Sequence, residues 1–313
     1  MELMNISHSL LLSLAGLFSL LLAATGIVWF VDKKNTQKDH TELKQRVKSW
    51  WIMVSVFSTA LIVSEKVSLS MFGLISFLGL KEYFSLIPTR RADRRVLFWA
   101  YLSIPLQYYW VAIGWYGMFI IFIPIYMFLL LPTRMILIGE TKLFLSSLST
   151  IQWGLMTLVF SISHVAYLLA LPTETNPTAG GAGLVLFLVF LTQFNDVAQF
   201  TWGKLFGKFK IVPKVSPNKT WEGFLGGVMT TTAVAVNIAP YLTPMDAIQA
   251  IAAGMIISVS GFMGDVTISA LKRDIGVKDS GNLLPGHGGI LDRIDSLTFT
   301  APLFFHFIYY LYY

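Results

Sequence analysis

The stretch Ser9–Val31, which reads SLLLSLAGLFSLLLAATGIVWFV, decides the class of fold. It contains no charged side chain, and it exceeds the roughly 20 residues that an α-helix needs to cross the hydrocarbon core of a bilayer. No basic residue precedes it, and it has no clear small-x-small cleavage site. We therefore expect an uncleaved membrane-spanning helix rather than a signal peptide.

Apolar runs of this kind recur along the whole chain. The 313 residues are 55% hydrophobic and only 13% charged, whereas about a quarter of the residues in a soluble domain are charged. We predict an all-α, polytopic membrane bundle of ten helices, or as few as eight because the second and fifth runs are short. The ten segments are approximately 9–31, 50–64, 67–84, 96–114, 117–131, 150–171, 183–203, 223–241, 247–270 and 296–313.

The lysines and arginines give an independent test of this count. If the N-terminus lies outside, every basic side chain except Lys66 falls on loops of the same side. A wrong number of segments would scramble this alternation, because the loops that follow would change sides. The positive-inside rule then places these loops in the cytosol and both termini on the non-cytosolic side, as expected for a bacterial inner membrane.

Composition also excludes several functions. The chain has no cysteine, which rules out disulfides, thiolate metal ligands and a cysteine nucleophile. We find no nucleic-acid-binding motif, and the net charge of +6 suits anionic lipid headgroups or nucleotide phosphates. Ionisable residues near the membrane concentrate in the later segments. We therefore predict a scaffolding, lipid-facing region over 1–180 and a catalytic region over 181–313, joined by a turn-rich connector at 172–182.

The chemistry is concentrated near the end of the chain, in SALKRDIGVKDSGNLLPGHGGILDRID, residues 269–295. Asp265, Ser269 and Lys272 are spaced i, i+4 and i+7, so they line one stripe of a helix. Asp265 lies inside an apolar run, where an ionised carboxylate is costly unless it is paired or metal-bound. The glycines at 286–289 permit close approach of the backbone to a phosphate or an ion. These features predict a nucleotide site with a divalent cation, in which basic side chains neutralise phosphate charge.

Residues 269–295 resemble the signature of the phosphatidate cytidylyltransferase (CDP-diacylglycerol synthase) family. The segments 206–208 (FGK) and 216–223 (SPNKTWEG) resemble a second block of that family, and the resemblance covers about 183–313. It implies that CMP is transferred from CTP to phosphatidic acid, giving CDP-diacylglycerol and pyrophosphate. It also implies Mg²⁺, with K⁺ beside it. Dimers are common among such enzymes, so a homodimer is expected as well.

The resemblance implies roles for individual residues. Asp265 and Asp292 match metal-binding aspartates, and Lys219, Lys272 and Arg273 match groups that contact phosphate during catalysis. Further candidates for substrate or phosphate binding are Ser216, Asn218, Thr220, Ser269, Lys278, His287, Gly288, Gly289 and Arg293, and the supporting acidic candidates are Asp196, Glu222, Asp279 and Asp295.

Simpler roles are open for some of these residues. Asp292 could cap the last helix, with Asp295 complementing its dipole, and His287 could be an ordinary turn residue. One position also departs from the family pattern. After Asp196, where the family has small residues followed by tyrosine, this chain has Gln199 and Phe200. A longer polar side chain at this point could change which lipid phosphate is accepted.

Two other functions fit parts of the sequence. A paralogue could act on an isoprenoid or ether-lipid phosphate, or could have lost activity. A membrane transporter, a protein of another class, would also have many spans and intramembrane carboxylates. Against the transporter, the acidic residues cluster at one predicted membrane face, and no pair of broken helices appears in matching halves of the chain.

Overall fold

The computed structural model describes residues 7–34, 40–88, 90, 93–281 and 288–313. Within these ranges the chain is helical and contains no β-strand. Each predicted apolar segment falls on one long helix, which confirms the polytopic helical bundle, and eight of the helices in the described ranges are long and apolar enough to cross a membrane. The helices are α1 His8–Lys34, α2 Thr41–Val63, α3 Glu65–Leu86, α4 Arg94–Ala112, α5 Tyr116–Ile136, α6 Phe144–Leu169, α7 Gly180–Phe206, α8 Trp221–Leu242, α9 Ala247–Ile275 and α10 Leu297–Tyr312.

Several helices extend beyond the apolar segments that predicted them. The second segment was predicted to begin at residue 50, but α2 begins at Thr41. The added turns are polar and basic, and they contain the ion pair between Glu42 and Arg46 at i, i+4. Hydropathy could not detect these turns, because charged residues with good helix propensity continue a helix past the apolar core.

Local sequence signals set the ends of the helices around the site. The Asp246 side chain accepts a hydrogen bond from the Gln249 N–H at 2.8 Å, and together they form a capping box that begins α9. Gly276, with φ of +80°, ends the same helix in the left-handed conformation. The Thr220 hydroxyl accepts from the Gly223 N–H at 3.2 Å and begins α8.

Helix α7 is the central element of the C-terminal region and packs against α6, α8, α9 and α10. Its contact with α8 is close because α8 presents glycines to it. A Cβ at Gly227 would collide with the Gln199 side chain, and one at Gly223 would lie 2.7 Å from the Gln199 carbonyl oxygen. These two glycines therefore fix the position of the loop that connects α7 to α8.

The connections lie on two opposite faces of the bundle. On one face, the Tyr167 hydroxyl donates to the Gly114 carbonyl at 2.9 Å, and the Asn176 amide donates to the Leu242 carbonyl at 3.0 Å. On the other face lie the loop 207–220, the described residues 276–281 and 288–290, and the start of α2. These are the loops that the charge distribution placed on one side of the membrane. The assignment of that side to the cytosol stays a prediction.

Candidate active site

The loop 207–220 positions Lys219 over α9. Lys210 and Thr220 form an antiparallel bridge, and the Glu222 carboxylate accepts from the N–H of Lys208 at 3.0 Å and of Phe209 at 3.3 Å. Lys219 Nζ then lies 2.5 Å from Asp265 Oδ2. The predicted supporting role of Glu222 thus has a structural counterpart, since this side chain fixes the loop that carries Lys219.

Lys219 is a partly buried cation. Burial by itself lowers the pKa of Lys219, but the charges of Asp265 and Asp196 outweigh it, so the pKa is raised above its usual value. The ammonium group also lies 5.7 Å from the centroid of the Phe262 ring, a favourable cation–π arrangement. Lys219 therefore stays protonated at neutral pH, as a group that contacts phosphate must.

The predicted stripe on α9 is present. The Ser269 hydroxyl donates to Asp265 Oδ1 at 3.2 Å, one turn along the helix. Lys272, almost one turn further, extends to the short helix Leu291–Ile294, where its Nζ donates to Asp292 Oδ1 at 2.7 Å. The site therefore contains two lysine–aspartate pairs that share helix α9.

Asp292 is enclosed by hydrogen-bond donors. Its Oδ2 accepts from the Ser280 N–H at 2.9 Å, the Ser280 hydroxyl at 2.9 Å and the Gly289 N–H at 3.0 Å. Burial alone would raise the pKa of Asp292, but the Lys272 ammonium and these N–H groups outweigh burial and lower it. All of these donors precede Asp292 in the chain or lie on α9. Asp292 therefore holds the loop between α9 and the short helix (the signature loop, described at residues 276–281 and 288–290) and does not cap α10.

Glu82, at the C-terminal end of α3, is a site residue that sequence reasoning missed. Its carboxylate accepts from the N–H of Ile290 at 2.9 Å and of Leu291 at 3.3 Å, and the Ser280 hydroxyl donates to it as well. The only signal was an acidic residue at the end of an apolar segment. Glu82 belongs to the region predicted to be a scaffold, so that region also shapes the site.

The Gly288–Gly289 pair makes this arrangement possible. A Cβ at Gly289 would collide with the Glu82 carboxylate and the Ser280 hydroxyl, and one at Gly288 would collide with Asp292. Gly288 also has φ of +76°, which favours glycine. At these two positions the close approach is made by carboxylates of the chain itself. His287 and Gly286 lie outside the described residues.

Three aspartates contribute negative charge near the two lysines. The Ser296 hydroxyl donates to Asp196 Oδ1 at 3.0 Å, and the Ser296 N–H donates to Asp295 Oδ1 at 2.7 Å. The pKa of Asp295 is raised well above its usual range by burial and then by the charges of Asp265 and Asp196. Carboxylates that repel one another in this way suit a bound cation, because the cation removes the repulsion.

The donor set fits Mg²⁺ when the substrate supplies further oxygens. Mg²⁺ is commonly held by one or two carboxylates together with phosphate oxygens and water. Within the described ranges, no three Asp, Glu or His side chains converge closely enough to hold a metal ion by themselves. Asp265, about one-fifth exposed, fits the predicted ligand role. Both oxygens of Asp292 already have donors, so its ligand role stays a prediction that requires Lys272 to move.

Some of the remaining predicted residues make structural contacts, others are open to solvent, and three line a cavity. The Arg273 Nε donates to the Val215 carbonyl at 3.3 Å and ties the 207–220 loop to α9. Thr220 is buried and caps α8, whereas Ser216 is partly buried and Asn218 is exposed. Lys278, Asp279 and Arg293 line a cavity beside Asp196.

Gln199, the departure from the family pattern, lies directly at the site. It is buried, its Oε1 accepts from Lys219 Nζ at 3.4 Å, and its side chain occupies the space that Gly227 leaves open. Phe200, the other unusual residue, is exposed and lines the same cavity as Asp196.

The fold and the site define a polytopic membrane protein with basic and acidic groups gathered at one face, as needed to handle a charged phosphate compound. Residues 44–311 match the cytidylyltransferase family, and the chain belongs to that family. It is therefore a CTP-dependent nucleotidyltransferase embedded in a membrane, and this membership favours the enzyme over the transporter.

Two kinds of relative refine this membership. The chain is 50% identical over 298 residues to the uncharacterized protein YnbB of Escherichia coli K12, an alignment that covers 95% of this chain and 98% of YnbB. It is 36% identical over 158 residues to the phosphatidate cytidylyltransferases of Staphylococcus epidermidis and Staphylococcus aureus. Those alignments cover 50% of this chain and 61% of the staphylococcal proteins.

Proposed function

We propose that the protein transfers CMP from CTP to phosphatidic acid, forming CDP-diacylglycerol and pyrophosphate. The observation that carries this proposal is the pair of lysine–aspartate contacts, Lys219–Asp265 and Lys272–Asp292, at one face of a cytidylyltransferase. The relatives named phosphatidate cytidylyltransferase support the choice of lipid.

The reaction is an in-line displacement at the α-phosphorus of CTP. A phosphate monoester is already anionic at neutral pH, so its oxygen attacks without a general base. The new P–O bond forms as the bond from the α-phosphorus to the bridging oxygen of the β-phosphate breaks, and pyrophosphate leaves with that electron pair. Lys219, Lys272 and Arg273 stabilise the negative charge that develops on the phosphate oxygens.

Mg²⁺ belongs to the same proposal. Asp265 would hold it, with Asp292 as the second predicted ligand, and the ion would neutralise charge on the nucleotide phosphates. Because Lys219 is bonded to Asp265, binding of a cation at Asp265 would release the ammonium group to contact phosphate. We also propose that the site faces the cytosol of a bacterial inner membrane, where CTP is present and where the basic loops belong.

Purified protein in vesicles that contain phosphatidic acid, with Mg²⁺ and labelled CTP, tests the function. We expect labelled CDP-diacylglycerol and an equal amount of pyrophosphate. A panel with isoprenoid phosphates and ether-lipid phosphates tests the second candidate, which the contact between Gln199 and Lys219 favours. If the wild-type protein forms no CDP-lipid from any phosphorylated lipid, the proposed function is wrong.

A further inference from the structure

An open cavity of about 980 Å³ lies at the same face, between α1, α2, α7 and the residues Lys278, Asp279, Gly288 and Arg293. Its volume is at the upper end of the range for small-molecule sites. The cavity adjoins the carboxylate cluster, because Asp196 belongs to that cluster and also lines the cavity. None of the residues proposed to act in CMP transfer lies on α1 or α2.

The walls of the cavity combine two chemistries. Arg46, Lys278 and Arg293 supply positive charge, and Arg293 Nε is a buried donor with no hydrogen-bond partner in the part of the chain that the structure describes. The α1 wall is apolar, and Val197 and Phe200 add apolar surface from α7. This surface opens outward, with Ile27 64% exposed and Phe200 66% exposed. A compound with an anionic head and an apolar tail matches this combination.

Three acidic side chains also line the cavity, and they do not block such a head. Glu42 is paired with Arg46 at 2.5 Å, and these side chains are 71% and 52% exposed. An exposed pair on one helix contributes little, so Arg46 can exchange Glu42 for a phosphate. Asp196 is bonded to Ser296, and Asp279 is exposed.

The cavity lies near the level where the membrane core meets the polar face. Its α1 residues, Ala24, Ile27 and Val28, precede the basic end of α1 at Lys33 and Lys34 by one to three turns. Its α2 residues begin at Glu42, next to the first residue of that helix. A lipid could therefore keep its chains in the bilayer while its phosphate contacts Arg46.

We infer that this cavity is the binding site of the lipid phosphate, that Arg46 contacts the phosphate and that α1 forms the wall along the acyl chains. The inference rests on the proposed function and adds a substrate site to it. The match to the family begins at residue 44, whereas α1 already ends at Lys34. The choice of lipid is therefore made partly by an element outside the family's common region.

The first experiment compares Arg46→Gln with Lys48→Gln, which removes the same charge from an exposed position of α2 that does not line the cavity. We expect Arg46→Gln to raise the KM for phosphatidic acid in mixed vesicles about tenfold, as loss of one charge-assisted contact does, and to leave the KM for CTP unchanged. Arg46→Lys should restore part of the loss. Glu42→Gln should lower the KM for phosphatidic acid, because it frees Arg46.

A second pair of variants tests the apolar wall. Ala24→Trp places a large side chain in the cavity, whereas Ala23→Trp places the same side chain on an exposed position of α1 that does not line it. Native mass spectrometry then measures retention of phosphatidic acid without CTP, with inorganic phosphate and CTP as separate probes. We expect Ala24→Trp and Arg46→Gln, but neither control, to lose phosphatidic acid several-fold.

The outcomes separate this inference from the proposed function. If Arg46→Gln raises the KM for CTP instead, or if Lys48→Gln acts like Arg46→Gln, the cavity is not the lipid site. If inorganic phosphate binds as well as phosphatidic acid and Ala24→Trp has no effect, the site takes free phosphate and the inference is wrong. If the wild-type protein makes no CDP-lipid but retains phosphatidic acid in a way that depends on Arg46 and Ala24, the function fails while the lipid site stands.

Discussion

The two lysine–aspartate pairs of the site look alike in sequence but differ in their surroundings. In the pair Lys219–Asp265 the side chains are 19% and 21% exposed, and the only other donor that the described contacts give Asp265 is the Ser269 hydroxyl. In the pair Lys272–Asp292 they are 12% and 6% exposed. Asp292 has three further hydrogen bonds from Ser280 and Gly289.

This difference indicates that the two pairs have different roles in the same site. Under the proposed function, the more open pair would exchange partners for a cation and a phosphate, because few other contacts must break. The enclosed pair cannot exchange partners so easily, and it fixes the loop that precedes Asp292. We expect substitution of the open pair to lower mainly the rate of catalysis, and substitution of the enclosed pair to lower both the stability and the rate.

The largest effect is expected at the open pair. Asp265→Asn should lower the rate of CDP-lipid formation by about a thousandfold or more, because Asp265 is the proposed cation ligand. The melting temperature in detergent should fall less than for Asp292→Asn, since the charge of Asp196 still stabilises the Lys219 ammonium group. Asp274→Asn, an exposed aspartate on the same helix, is the matched control. If Asp265→Asn retains a tenth of the wild-type activity, Asp265 is not the cation ligand.

At the enclosed pair, Asp292→Asn should destabilise the protein by about 3–5 kcal/mol, because it leaves the Lys272 ammonium buried without its counter-charge. The lowered pKa of Asp292 gives this contribution a pH dependence. It is fully present above the unfolded pKa of about 4 and is lost as the pH falls through the lower folded value. Thermal unfolding at pH 7 and below pH 4 measures both effects. An unchanged melting temperature at pH 7 would mean that the two pairs do not differ as described.

Glu82→Gln tests the second group that holds the loop before Asp292, because Glu82 on α3 accepts hydrogen bonds from Ser280, Ile290 and Leu291. An amide has one oxygen where the carboxylate has two, so at least one of the donors from Ser280, Ile290 and Leu291 loses its acceptor. We expect a loss of about 1–2 kcal/mol in stability and a roughly tenfold lower kcat that follows from a misplaced Asp292. The control is Glu140→Gln in an exposed turn. If both variants behave alike, Glu82 does not position the loop.

The smallest effect is expected for Ser269→Ala. It removes one hydrogen bond of 3.2 Å to Asp265, worth about 1 kcal/mol, so activity should fall about fivefold or less while the melting temperature stays the same. A loss as large as that of Asp265→Asn would show that the hydroxyl contacts the substrate directly.

Much of the fold was predictable because its signals are local. Apolar length gives the helices, and the alternation of lysine and arginine gives the grouping of loops. The contact between Ser269 and Asp265 followed from helical spacing alone. In each case the interacting residues are neighbours in sequence or share one periodic element.

The residues that were missed depend on packing between distant elements. Glu82, Ser280 and Ser296 carry no local pattern, and their roles appear only when α3, the signature loop and α7 meet. Gln199 was recognised as unusual, but its contact with Lys219 could not be derived from the sequence, because it requires the close approach of α7 and α8 at Gly223 and Gly227. The 286–289 glycines were predicted to approach a ligand, whereas Gly288 and Gly289 approach carboxylates of the chain itself.

The hydrogen bond between Glu82 and Ser280 also has a consequence for biosynthesis. The two residues are 198 positions apart, so at roughly 5–20 residues per second a ribosome needs about 10–40 s to produce Ser280 after Glu82. During that time Glu82 lacks its partners Ser280, Ile290 and Leu291. The contacts that hold the candidate site together therefore form only after residues 280–292 have been synthesised, and a chain that stops earlier lacks them.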